Sequence, residues 1–225
     1  MSFIRNGVTM SAVMLSFAGL AEAQSVTVGV ANGDNCLPFE CSFFGGTRYQ
    51  QVYGAAAFAS VGGAISINSL TFFSTISSLP GIVNAGNYTI RFSTTSATVG
   101  ALSTTFATNI GADVATFFNG AFGGGLTILG TTPFLYNPAL GNLLFDVTVT
   151  SQTYSNTYID FTSQLTDQTS RVVGFGATGN ADTGGLVTRF NYSATNTVPE
   201  PASVLLLASG MLALGVVARR RARRA

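Results

Sequence analysis

Apolar and polar residues alternate along most of the chain with the two-residue period of a half-buried strand. The alternation, or a run of β-branched and aromatic residues, is visible at 25–30 (SVTVGV), 48–53 (RYQQVY), 64–73 (AISINSLTFF), 87–93 (NYTIRFS) and 102–108 (LSTTFAT). It returns at 143–151 (LLFDVTVTS), 157–163 (TYIDFTS), 171–176 (RVVGFG) and 186–193 (LVTRFNYS). Turn chemistry separates these runs at Leu79-Pro80-Gly81, Asn84-Ala85-Gly86-Asn87, Asn119-Gly120, Asn137-Pro138 and Asp182-Thr183-Gly184-Gly185. So many short strands predict an all-β fold, a two-sheet antiparallel sandwich that is jelly-roll-like. Residues 112–130 (ADVATFFNGAFGGGLTILG) fit either a short helix or a further hairpin.

Both ends break the alternation. Arg5 is followed by an apolar stretch from Val8 to Leu20, and then by Ala21-Glu22-Ala23. A short basic region, a short apolar region and small residues at Ala21 and Ala23 predict a signal peptide over 1–23, an N-terminal signal helix cut by signal peptidase before Gln24. At the other end, the 17 residues from Ala202 to Ala218 contain no charge. As a helix they span about 25 Å, slightly less than the roughly 30 Å hydrocarbon core, and snorkelling arginine stems cover the difference. Arg219, Arg220, Arg221, Arg223 and Arg224 follow. By the positive-inside rule they mark the cytoplasmic side, so 202–218 is expected as a transmembrane helix of the inner membrane with everything before it outside.

Directly ahead of that span stands Val198-Pro199-Glu200-Pro201. Its prolines fix φ, block a helix from running upstream and hold Glu200 toward an extended conformation that a protease can grip. The order of this tripeptide motif, hydrophobic span and arginine cluster resembles the PEP-CTERM sorting signal of Gram-negative bacteria. The resemblance implies recognition by an exosortase, a membrane-embedded cysteine protease-transpeptidase that cleaves near the Pro-Glu-Pro motif and passes the product to the outer surface. It also implies glycosylation on export or embedding in exopolysaccharide. The organisation expected is therefore a signal peptide (1–23), an exported β-sandwich domain (24–197) and a sorting signal (198–225).

With both ends set aside, 24–197 holds four arginines (Arg48, Arg91, Arg171, Arg189) against seven acids (Asp34, Glu40, Asp113, Asp146, Asp160, Asp167, Asp182), a net charge of −3. The overall value of +1 is made by the tail. Such a domain has no basic footprint for nucleic acid. The chain has no histidine, which removes the imidazole-based nucleophile systems, the histidine general base and the histidine metal ligand. Neither a cofactor nor a metal is expected. What remains for catalysis is a pair of carboxylates, for which Asp146 and Asp160 in strand-like segments are the candidates. The plainer expectation puts both on the solvated face of alternating strands.

Cys36 and Cys41, the chain's two cysteines, have four residues between them. In an exported protein this predicts a structural disulfide formed in the oxidising periplasm, worth about 2 kcal/mol for so small a loop in the chain-entropy model. Tyr154 and Tyr158 around Asn156 offer an exposed polar-aromatic patch for sugar, since the chain has no tryptophan. Residues 179–185 (GNADTGG) carry oxygen ligands but match no calcium-loop pattern and are expected as a turn.

These readings favour a non-enzymatic structural or interaction protein, delivered by exosortase to the cell surface or the exopolysaccharide and biofilm matrix. The alternatives are a carbohydrate-binding module and, behind it, a carboxylate-based glycosidase.

Overall fold

The computed structural model describes residues 24–39, 46–78, 81–154 and 158–195, together with Gly210, Met211, Arg219 and Ala222. The signal segment 1–23, Glu40, Cys41, Asn156, the motif 198–201 and most of 202–225 lie outside the described residues.

Strands dominate, and among the described residues every strand pairing is antiparallel. In chain order the described strands are β1 (Gln24–Val28), β2 (Gly33–Asn35), β3 (Thr47–Tyr53), β4 (Ile65–Phe72), β5 (Gly86–Thr95), β6 (Ala115–Phe122) and β7 (Thr127–Tyr136). They continue with β8 (Asn142–Gln152), β9 (Ile159–Thr162), β10 (Thr169–Phe175), β11 (Thr178–Asp182), β12 (Gly185–Leu186) and β13 (Thr188–Ala194). One sheet runs β1-β13-β4-β7, a second runs β11-β10-β3-β8-β5-β6, and a small third runs β12-β9-β2. The two-sheet expectation is thus corrected by this third sheet. Its strands are too short to carry a face of their own.

The two large sheets face each other across a phenylalanine-rich core, as alternation requires: one face of each strand is apolar and must be covered. On β8, Leu143, Phe145, Val147 and Val149 are fully buried. On β5, Ile90 and Phe92 project the same way. Phe92 links the layers, with ring centroids 5.7 Å from Phe145 in its own sheet and 5.6 Å and 6.3 Å from Phe134 and Phe190 in the other. Tyr53 meets Phe190 edge to face at 4.9 Å, and its hydroxyl is 2.8 Å from that of Thr188 across the layers.

Two expectations for local structure are overturned. The alternation at 102–108 does not make a strand. Phe106–Asn109 is a turn of 3₁₀ helix, and the segment instead presses Leu102 and Phe106 onto Val52, Leu144 and Val172 on the outer face of the six-stranded sheet. Asn109 locks it: its Nδ2 donates to Gln50 Oε1 (3.0 Å) and to the Ser103 carbonyl (2.9 Å), while its Oδ1 accepts from Ser103 N (2.8 Å). Gln50 closes the network by donating to the Phe106 carbonyl at 3.1 Å. Asn119-Gly120, expected as a turn, lies inside β6, where Gly120 adopts a φ of +147° that L side chains rarely take. The open choice over 112–130 is decided for a hairpin, β6 into β7.

Buried phenols give the fold an alkaline limit. Burial raises the pKa of Tyr49 and Tyr53 well above the usual tyrosine value of 10.0, and Tyr136 likewise. The neutral forms are therefore favoured in the folded state. Above pH 10.0 the unfolded chain ionises these phenols while the folded one keeps its protons, so stability is intact below that value and falls above it. Each phenol contributes a slope of about 1.4 kcal/mol per pH unit. Denaturant midpoints measured from pH 8 to pH 11 should hold steady and then drop, and the drop should shrink in Tyr53→Phe.

Candidate functional site

Sequence-predicted chemistry lay in five places: the carboxylates, the tyrosine patch, loop 179–185, the cysteine pair and the C-terminal segment.

Asp146 and Asp160 do not share a cleft. They sit on different sheets, and each is 2 % exposed rather than on a solvated face. Asp146 projects from the centre of β8 on the outer side of the six-stranded sheet, where β3 and β5 flank it. Arg48 grips it with two bonds, Nε to Oδ1 and Nη2 to Oδ2, both 2.8 Å. Arg91, directly opposite on β5, adds a bond from Nη2 to Oδ2 at 2.6 Å. The Arg48 guanidinium also lies 5.0 Å from the centroid of Phe106. Two cations on one carboxylate tie three adjacent strands together. A buried anion so engaged is a structural tie, since both oxygens are occupied.

Asp160 serves a different purpose on β9. Its Oδ1 accepts from the backbone N–H groups of Thr75 (2.7 Å) and Ile76 (3.0 Å), and its Oδ2 accepts from the Thr75 hydroxyl (2.5 Å). It holds the chain just after β4 against the three-stranded sheet. Sequence reasoning missed both roles because every partner is far away in the chain: Arg48 is 98 residues from Asp146, and Thr75 is 85 residues from Asp160.

The 179–185 stretch is β11 followed by a turn, not an oxygen cage. The Asp182 carboxylate accepts from Arg171 Nε (2.9 Å) and Nη2 (3.0 Å) and caps the Gly184 amide at 2.8 Å. Arg171 in turn stacks over Phe161 at 4.6 Å. Burial works against its charge, but the neighbouring Tyr49 and Asp182 outweigh burial and leave its pKa raised. Among the described residues no group of His, Cys, Asp and Glu is arranged to hold a metal ion. Tyr154 is 68 % exposed, Tyr158 is half-buried, and Asn156 between them lies outside the described residues.

Cys36 carries no free thiol. Its expected partner Cys41 lies outside the described residues.

The C-terminal segment leaves from a defined point. β13, paired on both sides, ends at Ala194 opposite Ile65. The next residue, Thr195, is pinned by its N–H (3.2 Å) and its hydroxyl (2.8 Å), both donating to the Ala64 carbonyl. Beyond it, residues 197–223 match the family model of the PEP-CTERM protein-sorting motif.

The chain carries a PEP-CTERM sorting motif. That motif implies export, a membrane-anchored precursor, exosortase processing and delivery to the cell surface. The match takes in the Val198, Pro199, Glu200 and Pro201 motif and four of the expected orienting residues, Arg219, Arg220, Arg221 and Arg223. Of these only Arg219 is described, and it is helical and exposed, as are Gly210 and Met211. Among the described residues no helix is long and apolar enough to cross a membrane; the expected span 202–218 falls almost wholly outside them. No curated protein and no solved structure matches the chain.

Proposed function

We propose that this PEP-CTERM protein is a non-enzymatic structural or interaction component of the cell surface or exopolysaccharide matrix. Signal peptidase removes residues 1–23, the helix 202–218 holds the precursor in the inner membrane, and exosortase acts near Pro199-Glu200-Pro201. The domain spends its transit in the periplasm, where Cys36 and Cys41 form their disulfide. The observation that carries the reading is the matched motif starting two residues after the last pinned residue of the domain. The use of Asp146, Asp160 and Asp182 as buried or paired ties supports the non-enzymatic part. The order β1-β13-β4-β7 facing β3-β8-β5-β6, with the β10-β11 hairpin added beside β3, supports a jelly-roll-like winding.

Deleting residues 198–225 tests the sorting step. The truncated protein is expected to stay in the periplasm and to vanish from the surface, read by antibody labelling of intact cells. Equal surface labelling with and without the segment would refute the reading.

A further inference from the structure

The charges of the domain are unevenly placed. Arg48, Arg91, Asp146, Arg171 and Asp182 belong to the six-stranded sheet and Asp34 and Asp160 to the small one, while in the four-stranded sheet β1, β4 and β7 have none and β13 has only Arg189. No Asp, Glu, Lys or Arg occurs between Arg48 and Arg91, between Asp113 and Asp146, or between Arg189 and Glu200. Those three uncharged stretches meet at one end of the four-stranded sheet, where Ala194, Ile65 and Tyr136 stand in a row. Gln24 is two pairs away, opposite Tyr192.

The surface of that end is uncharged and carries exposed apolar side chains. Leu135 is 62 % exposed and Leu140 is 75 % exposed. Leu140 belongs to the 3₁₀ turn Pro138–Leu140, which packs against a second one, Ala55–Val61, whose Ala56 and Ala59 are also exposed. Phe58 and Tyr136, 5.0 Å apart beneath, fix the two turns to the core. Leucines are exposed here beside alanines and without a charged neighbour in the same segments, a combination that an apolar environment accepts.

The same end emits the chain toward the sorting motif. From Thr195, still hydrogen-bonded to Ala64, to the first residue of the proposed anchor at 202 is seven residues. Fully extended they reach at most about 25 Å. In the anchored precursor Thr195 therefore stays within about 25 Å of the start of the anchor, which lets this end reach the membrane surface.

We propose that the apolar end formed by residues 55–61 and 135–140 is a membrane-facing surface that rests on the periplasmic leaflet while the precursor is anchored. This rests on the reading of 202–218 as the anchor. The absence of charge spares the end any desolvation of ions at the interface, and Leu135 and Leu140 are the side chains that enter it. Resting there holds the domain in one orientation and presents the short segment at Pro199-Glu200-Pro201 at the membrane surface, where exosortase works.

The chain contains no tryptophan, so a single introduced one reports alone. Full-length Leu140→Trp and Phe175→Trp proteins, the latter at the far end of β3's partner strand β10, are reconstituted in phosphatidylethanolamine and phosphatidylglycerol vesicles doped with brominated lipid. Leu135→Trp is a second reporter should Leu140→Trp fail to fold by circular dichroism. Emission from position 140 or 135 is expected at shorter wavelength and strongly quenched by bromine, and emission from 175 unquenched but open to iodide. Vesicle-bound protein whose position 140 is as iodide-accessible as 175 would overturn the inference and leave the anchor standing. A blue shift at 140 without bromine quenching would overturn it in favour of contact between copies. Failure of all variants to float with the vesicles would remove the anchor, and the inference with it.

Discussion

Replacing Asp146 by alanine should cost the folded domain about 3–5 kcal/mol, because it strands two arginine charges against a half-closed face. Arg48 and Arg91 are only 17 % and 31 % exposed in their side chains and lose their shared counter-ion together. Against a typical total of about 5–15 kcal/mol, that loss leaves little reserve. The carboxylate ties β3, β8 and β5, the strands at the heart of the six-stranded sheet. Asp146→Asn should recover only part, since the amide accepts at one atom where the carboxylate accepts at two. The triple replacement Arg48→Met, Asp146→Leu, Arg91→Met should restore most of the stability, as the ion triad is replaced by apolar groups of similar volume. Urea denaturation of the four proteins checks the order. A single Asp146→Ala change within experimental error of the parent would contradict the account of this site.

The second large effect lies in the core. Phe92→Ala should destabilise by about 3–5 kcal/mol, the range for truncating a buried ring. Its ring is 0 % exposed and meets Phe117 at 5.1 Å as well as Phe134, Phe145 and Phe190, so the cavity opens between the layers where neither sheet can collapse to fill it. Phe175→Ala, at 54 % exposure, removes the same side chain from the surface and should change the unfolding midpoint little. Equal losses at the two positions would mean that Phe92 does not join the layers.

Local pattern made much of this fold readable. β3, β4, β5, β8, β10 and β13 follow the predicted runs within a residue or two, because each turns one face into the core between the large sheets and the period of two follows from that. β7 escaped because it is an edge strand: Leu129 and Leu135 stand on its outer side, and Gly130 and Pro133 interrupt it, so its sequence never looks two-faced. The stretch 102–108 misled for the opposite reason. Leu102 and Phe106 have strand-like spacing but cap a sheet instead of joining one, and what holds them is Gln50, more than fifty residues upstream. The candidate carboxylates were visible as residues and invisible as ties, since no periodicity announces an arginine on a neighbouring strand. The sorting motif, by contrast, is wholly local. Its prolines, apolar span and arginines are contiguous, which is why it was legible without any structure and why the family model matches it alone.

The central claim is that the segment after Thr195 is an address that is read and cut. Mass spectrometry of the protein's C-terminus, from wild-type cells and from cells lacking exosortase, measures this directly. The account predicts a chain ending near Pro199-Glu200-Pro201 in the wild type and an intact tail through Arg224 and Ala225 in the mutant. An intact tail in both would contradict it and leave a plain membrane anchor in its place.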